Sequence, residues 1–329
     1  MNQIWRVTAG LVISAGCLLF AFRSVPVPSL LKAVTSIPFA IVMAWIALAG
    51  FSLLLRSMRW QLLLGRTGHL PFLRVLAVNS AGQMGNAILP ARLGDLFRAT
   101  NLGSLSSGFA LATILVERVL DTGFLVSVAA VALTSFRDLP AWLTRGAGFF
   151  GAAAVVGVAL ALLMPSLEDH VVNLMDRIVP ARYRVKLSHL TRQFIGGLGS
   201  LRNPGKVFAF LLFTVVIWSS DAAGAVILAR GLSVTLTPAI AALLLTAVAL
   251  SSALPAAPGN IGVYQMVAVS VLVPFGVARP QALGLAILLQ ALILANLLIW
   301  GLASLWFLAG KGLNLRGVPV RAQLSRVQT

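Results

Sequence analysis

Glu117, Arg118 and Asp121 stand inside one apolar run, residues 111–132. A charge at the centre of a bilayer helix costs roughly 2.5–3.5 kcal/mol. Such residues persist where they pair, line a wet cavity or move protons. Glu117 and Asp121 are four apart and share a helix face, whereas Arg118 points about a hundred degrees away, toward a different partner. Two carboxylates on one face repel unless a cation lies between them, and Arg92 or Arg98 is a candidate for it. The plainer reading is an ion-pair lock between helices.

A second constellation holds Asn86, Arg92, Gly94, Asp95 and Arg98, with Pro90 breaking the helix. Guanidinium groups fork onto phosphate oxygens, and a helix start near Gly94 favours an anion. Asp95 is three residues from each arginine, so one helical face holds all three if the helix runs through them. The alternative is a cytoplasmic loop with a local ion pair. A third run, 254–265, carries Pro255, Pro258, Gly259, Asn260, Gly262, Tyr264 and Gln265. Its prolines forbid a continuous helix, and its polar groups are uncharged. It reads either as a gate or as a tight turn between helices. Asp221 is a lone acid midway along an apolar run; it either lines a path or bonds to Ser219, Ser220 or a neighbouring helix. Arg56, Arg59 and Trp60 read as snorkelling anchors at a span end, with headgroup contact as the sharper alternative.

The elements that position these groups follow from composition. Apolar residues make up 59% of the 329 and charged residues 10%; mean hydropathy is +0.96. Continuous apolar runs that match or approach a hydrocarbon core of about 30 Å imply an all-α, polytopic membrane protein. The runs are 7–22, 37–55, 72–89, 108–134, 146–164, 207–229, 237–254, 261–275 and 281–309. The first resembles a signal sequence but is read as an uncleaved span. The net charge of +17 sits mostly between apolar runs. It suits topology and anionic lipid headgroups rather than nucleic acid. One cysteine, Cys17, and three scattered histidines give no disulfide and no metal site, and no cofactor is expected.

Positive charge orients the runs. Arg56, Arg59, Arg66 and Arg74, the polar insert 165–206 and the basic tail 311–329 belong on the cytoplasmic side. The insert reads as amphipathic interfacial helices. These placements agree only if 72–100 dips in and returns from the cytoplasm. The runs 237–254 and 261–275 form either a second re-entrant hairpin of opposite sense or two full crossings. The chain therefore has about 6–8 spans, both termini inside and two re-entrant broken elements, the pattern of an inverted-repeat transporter. Residues 1–310 form one transmembrane domain.

Four strings in order carry a resemblance. They are Arg56-x-x-Arg59-Trp60, the run 86–98, Glu117-Arg118-x-x-Asp121 and the Pro-x-x-Pro-Gly-x-x-Gly-x-Tyr-Gln run at 255–265. Their order and spacing resemble the lysylphosphatidylglycerol synthase transmembrane (flippase-like) family, over about residues 5–310. The family includes the membrane half of the multiple peptide resistance factor. The resemblance implies lipid movement between leaflets of a bacterial or archaeal inner membrane, without the aminoacyl-transfer domain of the two-domain relatives. Asp95 and Gln265 stand where the family more often has glutamate, and losing the acid at 265 argues against a cationic lysyl-lipid headgroup. The expected function is a non-enzymatic flippase for an anionic phospholipid or polyprenyl-phosphate lipid. Its site would comprise Asn86, Arg92, Asp95, Arg98, Glu117, Arg118, Asp121, Asp221, Pro258, Gly259, Asn260, Tyr264 and Gln265. The alternatives are a membrane transferase on lipid-linked substrates and a non-catalytic partner subunit. Helices rich in Gly and Ala also allow a homo-oligomer.

Overall fold

The computed structural model describes residues 3–23, 37–65, 70–89, 92–103, 105–136, 141–163, 203–252 and 257–310, with Gly196 and Gly199. Among them the fold is all-helical. The helices are α1 (Gln3–Phe22), α2 (Phe39–Leu64), α3 (Phe72–Ile88), α4 (Leu93–Thr100), α5 (Ser107–Thr134), α6 (Ala141–Leu163), α7 (Pro204–Gly231), α8 (Pro238–Ser251), α9 (Val263–Leu272) and α10 (Arg279–Gly310), with short 3-10 turns at Pro258–Asn260 and Val273–Phe275. Local chemistry starts several of them. Ser106, Asn203 and Thr237 each accept a backbone N–H at an N-terminus, and Pro204 and Pro238 occupy the first turn, where a missing N–H costs nothing. Four helical stretches are long and apolar enough to cross a membrane: Phe39–Leu64, Pro204–Gly231, Pro258–Phe275 and Arg279–Gly310. The third is not one rod, because Gly259 and Gly262 have φ of 73° and 89°.

Side-chain contacts fix the direction of each helix. At one end, Trp60 and Leu64 of α2 pack with Val75 and Val78 of α3, Ala99 of α4, Leu102 just beyond α4, Ala110 and Ile114 of α5, and Leu308 of α10. Phe210 near the start of α7 joins Leu63 there, with Val158 of α6 packed against them. At the other end, Gly231 closing α7 lies against Ile37 and Ile41. There Gln281 of α10 donates to the Leu232 carbonyl at 3.4 Å, Arg279 donates to the Phe20 carbonyl of α1, and Phe136 meets Phe275 at 4.6 Å between ring centroids. Six long helices (α1, α2, α5, α6, α7 and α10) therefore run alternately between the two ends.

Between them sit two short helical hairpins. The first is α3, a turn, and α4. Arg98 of α4 lies on Gly82 of α3, and a Cβ on Gly94 would collide with the Gly82 carbonyl oxygen. Only glycine lets these backbones approach so closely. The return is complete at Gly103, where a Cβ would stand 3.2 Å from Arg74 Nη2. The second hairpin is α8 and α9, which pack Ile240, Ala241 and Leu244 on Ala268, Val269 and Leu272. Its two ends lie at the opposite end of the molecule, near Leu232 and Gln281. Ser14 of α1 braces the second tip: its hydroxyl accepts the Ala257 N–H at 2.8 Å, and its carbonyl lies where a Cβ of Gly262 would be.

Two expectations change. The second span does not stop at residue 55, because α2 continues to Leu64, so Arg56 and Arg59 lie inside it. The helix of the first hairpin does not run through Arg92. That residue is the left-handed N-cap of α4, with φ 54° and ψ 42°, so it leaves the face shared by Asp95 and Arg98. The breaking prolines Pro90 and Pro255, nearly all of the insert 165–206 and the tail 311–329 lie outside the described residues.

Candidate functional site

The acids of α5 meet cations from two directions. Arg59 of α2 forks onto Asp121, with Nη1 to Oδ1 at 2.6 Å and Nη2 to Oδ2 at 2.7 Å. The same guanidinium donates to Glu117 Oε1 at 3.0 Å and to Thr214 of α7 at 2.8 Å. Its side chain is fully buried and its plane lies over Phe210. Arg98 of α4 donates to the other Glu117 oxygen at 3.0 Å, stacked over Trp60 at 4.2 Å. Burying charges is costly unless each is paired and hydrogen-bonded; here each charge has an opposite partner, while the Nε of Arg59 and of Arg98 has no acceptor. Removing one partner leaves an uncompensated charge, a loss of about 3–5 kcal/mol.

The network extends both ways. Toward α7, Trp218 donates to Asp121 at 3.2 Å, and Arg56 lies over the Trp218 ring while pairing with Asp221 at 2.6 Å. Asp221 is thus a link to a neighbouring helix, and Arg56 is its partner. Toward the first hairpin, Arg98 approaches Asp95 at 3.6 Å. Asp95 also receives Arg118 at 3.3 Å and the Asn86 amide at 2.8 Å, while its own N–H donates to Asn86 at 3.0 Å. The start of α4 is therefore capped by Asn86 rather than left open for an anion.

All four acids among the described residues, Asp95, Glu117, Asp121 and Asp221, pair with arginine. The structure brings together Asn86, Asp95, Arg98, Glu117, Arg118 and Asp121 from the sequence-based set. The cation between the two α5 carboxylates is Arg59, joined by Arg98, and not Arg92. Arg59 is no snorkelling anchor. Sequence reasoning missed it, together with Arg56, Thr214 and Trp218. The available signal was the apolar Leu62, Leu63 and Leu64 beyond Arg59, which prolong the helix past it.

Arg92 faces the other hairpin. Its Nη2 donates to the Ser252 carbonyl at 2.8 Å and to the Ser252 hydroxyl at 3.0 Å. The two tips meet there, and between them and α10 lies an apolar recess of about 210 Å³ lined by Met84, Ala87, Ile88, Pro258, Gly259, Leu294, Leu297 and Leu298. The second tip is held by uncharged groups. Gln265 accepts the Gly262 N–H at 2.7 Å and donates to Gln290, which donates to the Gly259 carbonyl at 2.6 Å. Asn260, left-handed at φ 58°, donates to Ser251 at 3.1 Å. Tyr264 packs into the apolar core. Pro258 and Gly259 thus line the recess, whereas Gln265 fastens the backbone of the turn and Tyr264 fills space.

No solved structure matches the chain. Glycosyltransferase AglD of Haloferax volcanii is 28% identical over 262 residues, 68% of this chain and 41% of that protein. The chain thus spans less than half the length of that relative. The family model for the lysylphosphatidylglycerol synthase TM region matches residues 7–301. With its membrane-crossing helices, the chain is a multi-pass membrane protein that belongs to the lysylphosphatidylglycerol synthase TM region family.

Proposed function

We propose that the protein is a lipid flippase or transporter, carrying an anionic phospholipid or a polyprenyl-phosphate lipid between leaflets. The observation that carries this reading is the meeting of two broken hairpins, entering from opposite ends, at Arg92 and Ser252. α3, α8 and α9 hold 17, 14 and 10 residues, or about 25, 21 and 15 Å at 1.5 Å per residue. Each is shorter than a hydrocarbon core of about 30 Å. We therefore read six full spans and two re-entrant hairpins, with both termini cytoplasmic in an inner membrane. The order of two long helices, a hairpin and a long helix in α1–α5 recurs in α6–α10 with reversed direction, as in inverted-repeat transporters. Substrates of such folds bind where broken elements face each other near the midplane.

In this reading the ion network of Arg59, Glu117, Asp121 and Arg98 is the rigid wall behind the tips. The lipid phosphate is the partner, and no cofactor or covalent chemistry is required. Reconstitution of the full chain in liposomes with leaflet-labelled phosphatidylglycerol tests the reading. Exchange above protein-free liposomes is the expected result, and its absence for both phosphatidylglycerol and a polyprenyl phosphate would remove it. A second reading, a membrane transferase on lipid-linked substrates, is favoured by the printed name of the Haloferax volcanii relative. Chromatography of the same lipids separates the two readings, because a new lipid species would mark a transferase.

A further inference from the structure

We propose that Arg92 and Arg118 form the phosphate-binding site, and that Arg92 engages a phosphate by leaving Ser252, so that binding also separates the two hairpin tips. The site stands on the geometry below; that the phosphate belongs to a lipid rests on the carrier reading.

Charge balance singles out these two arginines. Arg56, Arg59, Arg98 and Arg118 face Asp221, Asp121, Glu117 and Asp95 one for one. Within this cluster Arg92 is the cation with no acid facing it, and it caps the helix whose first turn carries Asp95, the acid that Arg118 reaches at 3.3 Å. Its acceptors are neutral: the carbonyl and hydroxyl of Ser252. Arg118 is the loosest of the paired arginines. Its contact with Asp95 is long, its side chain is 43% exposed, and Asp95 already holds Asn86 through two hydrogen bonds. Arg59 and Arg98, by contrast, have nearly fully buried side chains. A phosphate placed between Arg92 and Arg118 would exchange one arginine's neutral acceptors for charge-assisted ones, about twice as strong.

The backbone at Arg92 aims its side chain at the other tip. Arg92 is held at φ 54°, ψ 42°, a conformation that costs a non-glycine residue about 1 kcal/mol or more. That turn carries the guanidinium toward Ser252, and a phosphate can replace this contact. The apolar recess adjoins the same junction. Ile88, which lines the recess, closes the helix before the Arg92 tip, and Gly259 precedes Asn260, which bonds to Ser251. A charged head at the arginines and a hydrocarbon chain in the recess fit one amphiphile.

The test uses the full chain in phosphatidylcholine nanodiscs with or without phosphatidylglycerol, and with inorganic phosphate as a third arm. Spin labels at Leu89→Cys and Ile261→Cys, in a Cys17→Ala background, report the separation of the tips. Phosphatidylglycerol should widen this separation and raise the melting temperature, and phosphatidylcholine alone should do neither. If inorganic phosphate does both equally, the site stands but its ligand is a free anion. Arg92→Asn keeps a residue that tolerates the left-handed turn. It should weaken phosphatidylglycerol binding about tenfold or more and leave the tips apart without lipid. Arg118→Ala should weaken binding similarly while leaving the tips closed. Wild-type affinity in either variant, or tips that stay closed at saturating phosphatidylglycerol, overturns the proposal. Leaflet exchange that survives Arg92→Asn would remove this site and keep the carrier reading. Binding and opening without exchange in the wild type would do the reverse.

Discussion

The two hairpins share a shape and differ in chemistry. Each turns back through positive-φ backbone, at Arg92 in the first and at Gly259, Asn260 and Gly262 in the second. The first carries Arg92, Asp95 and Arg98 and backs onto paired charge from α2 and α5. The second is organised by Gln265, Gln290, Asn260 and the brace from Ser14, without a single charge. Hairpins in a low-dielectric interior need their turn backbones satisfied, and amides and hydroxyls suffice for that. Charge at the first tip therefore exceeds what the turn requires, and under the proposed carrier reading that tip is the one to meet an anion, with the second as its neutral abutment.

The strongest test of this contrast removes the cation behind the first hairpin. Arg59→Met should leave Asp121 without its arginine and cost about 3–5 kcal/mol, read as loss of the monodisperse peak in fluorescence-detected size-exclusion on heating. Asp121→Asn in the same chain should restore part of it. An unchanged melting profile would mean the network is not what holds α2, α5 and α7 together.

Arg98→Ala follows, at about 2–4 kcal/mol, through a carboxylate that keeps only one of its two arginines and the lost stack on Trp60. Spacing alone makes Arg98 a phosphate ligand whose removal abolishes exchange in a well-inserted protein. Burial against Glu117 turns the expectation toward stability. A normal melting temperature with lost exchange would return Arg98 to the ligand set.

At the second tip, Gln265→Ala should cost about 1–3 kcal/mol, because Gln290 and the Gly262 N–H lose a partner in a buried site. Scattering of the tip-to-tip distance, rather than loss of the folded peak, is the expected signature. The smallest effect belongs to Asp95→Asn. The Arg118 pair is partly exposed and contributes about 0–1 kcal/mol. Stability should hardly move, while retention of phosphatidylglycerol should rise and become more salt-sensitive as Arg118 is freed. Weaker retention would mean that Asp95 positions the arginines instead of competing for them.

Local pattern made much of the molecule legible. Long apolar runs declare helices in lipid because the bilayer offers the backbone no hydrogen-bond partner. Proline and glycine mark both broken elements, and the four-residue spacing of Glu117 and Asp121 places them on one face. Partners across the fold were not legible, since nothing in the sequence says which of the arginines arrives at that face. Arg59 won it from residues nearer in sequence because α2 continues past residue 55 and packs between α5 and α7. Arg92 was drawn instead to Ser252, 160 residues away, by a left-handed turn that no spacing rule foresees. Residue type and period decide which elements form and which side chains cost energy when buried; the meeting of two tips from opposite ends decides which of those side chains are neutralised and which remain available.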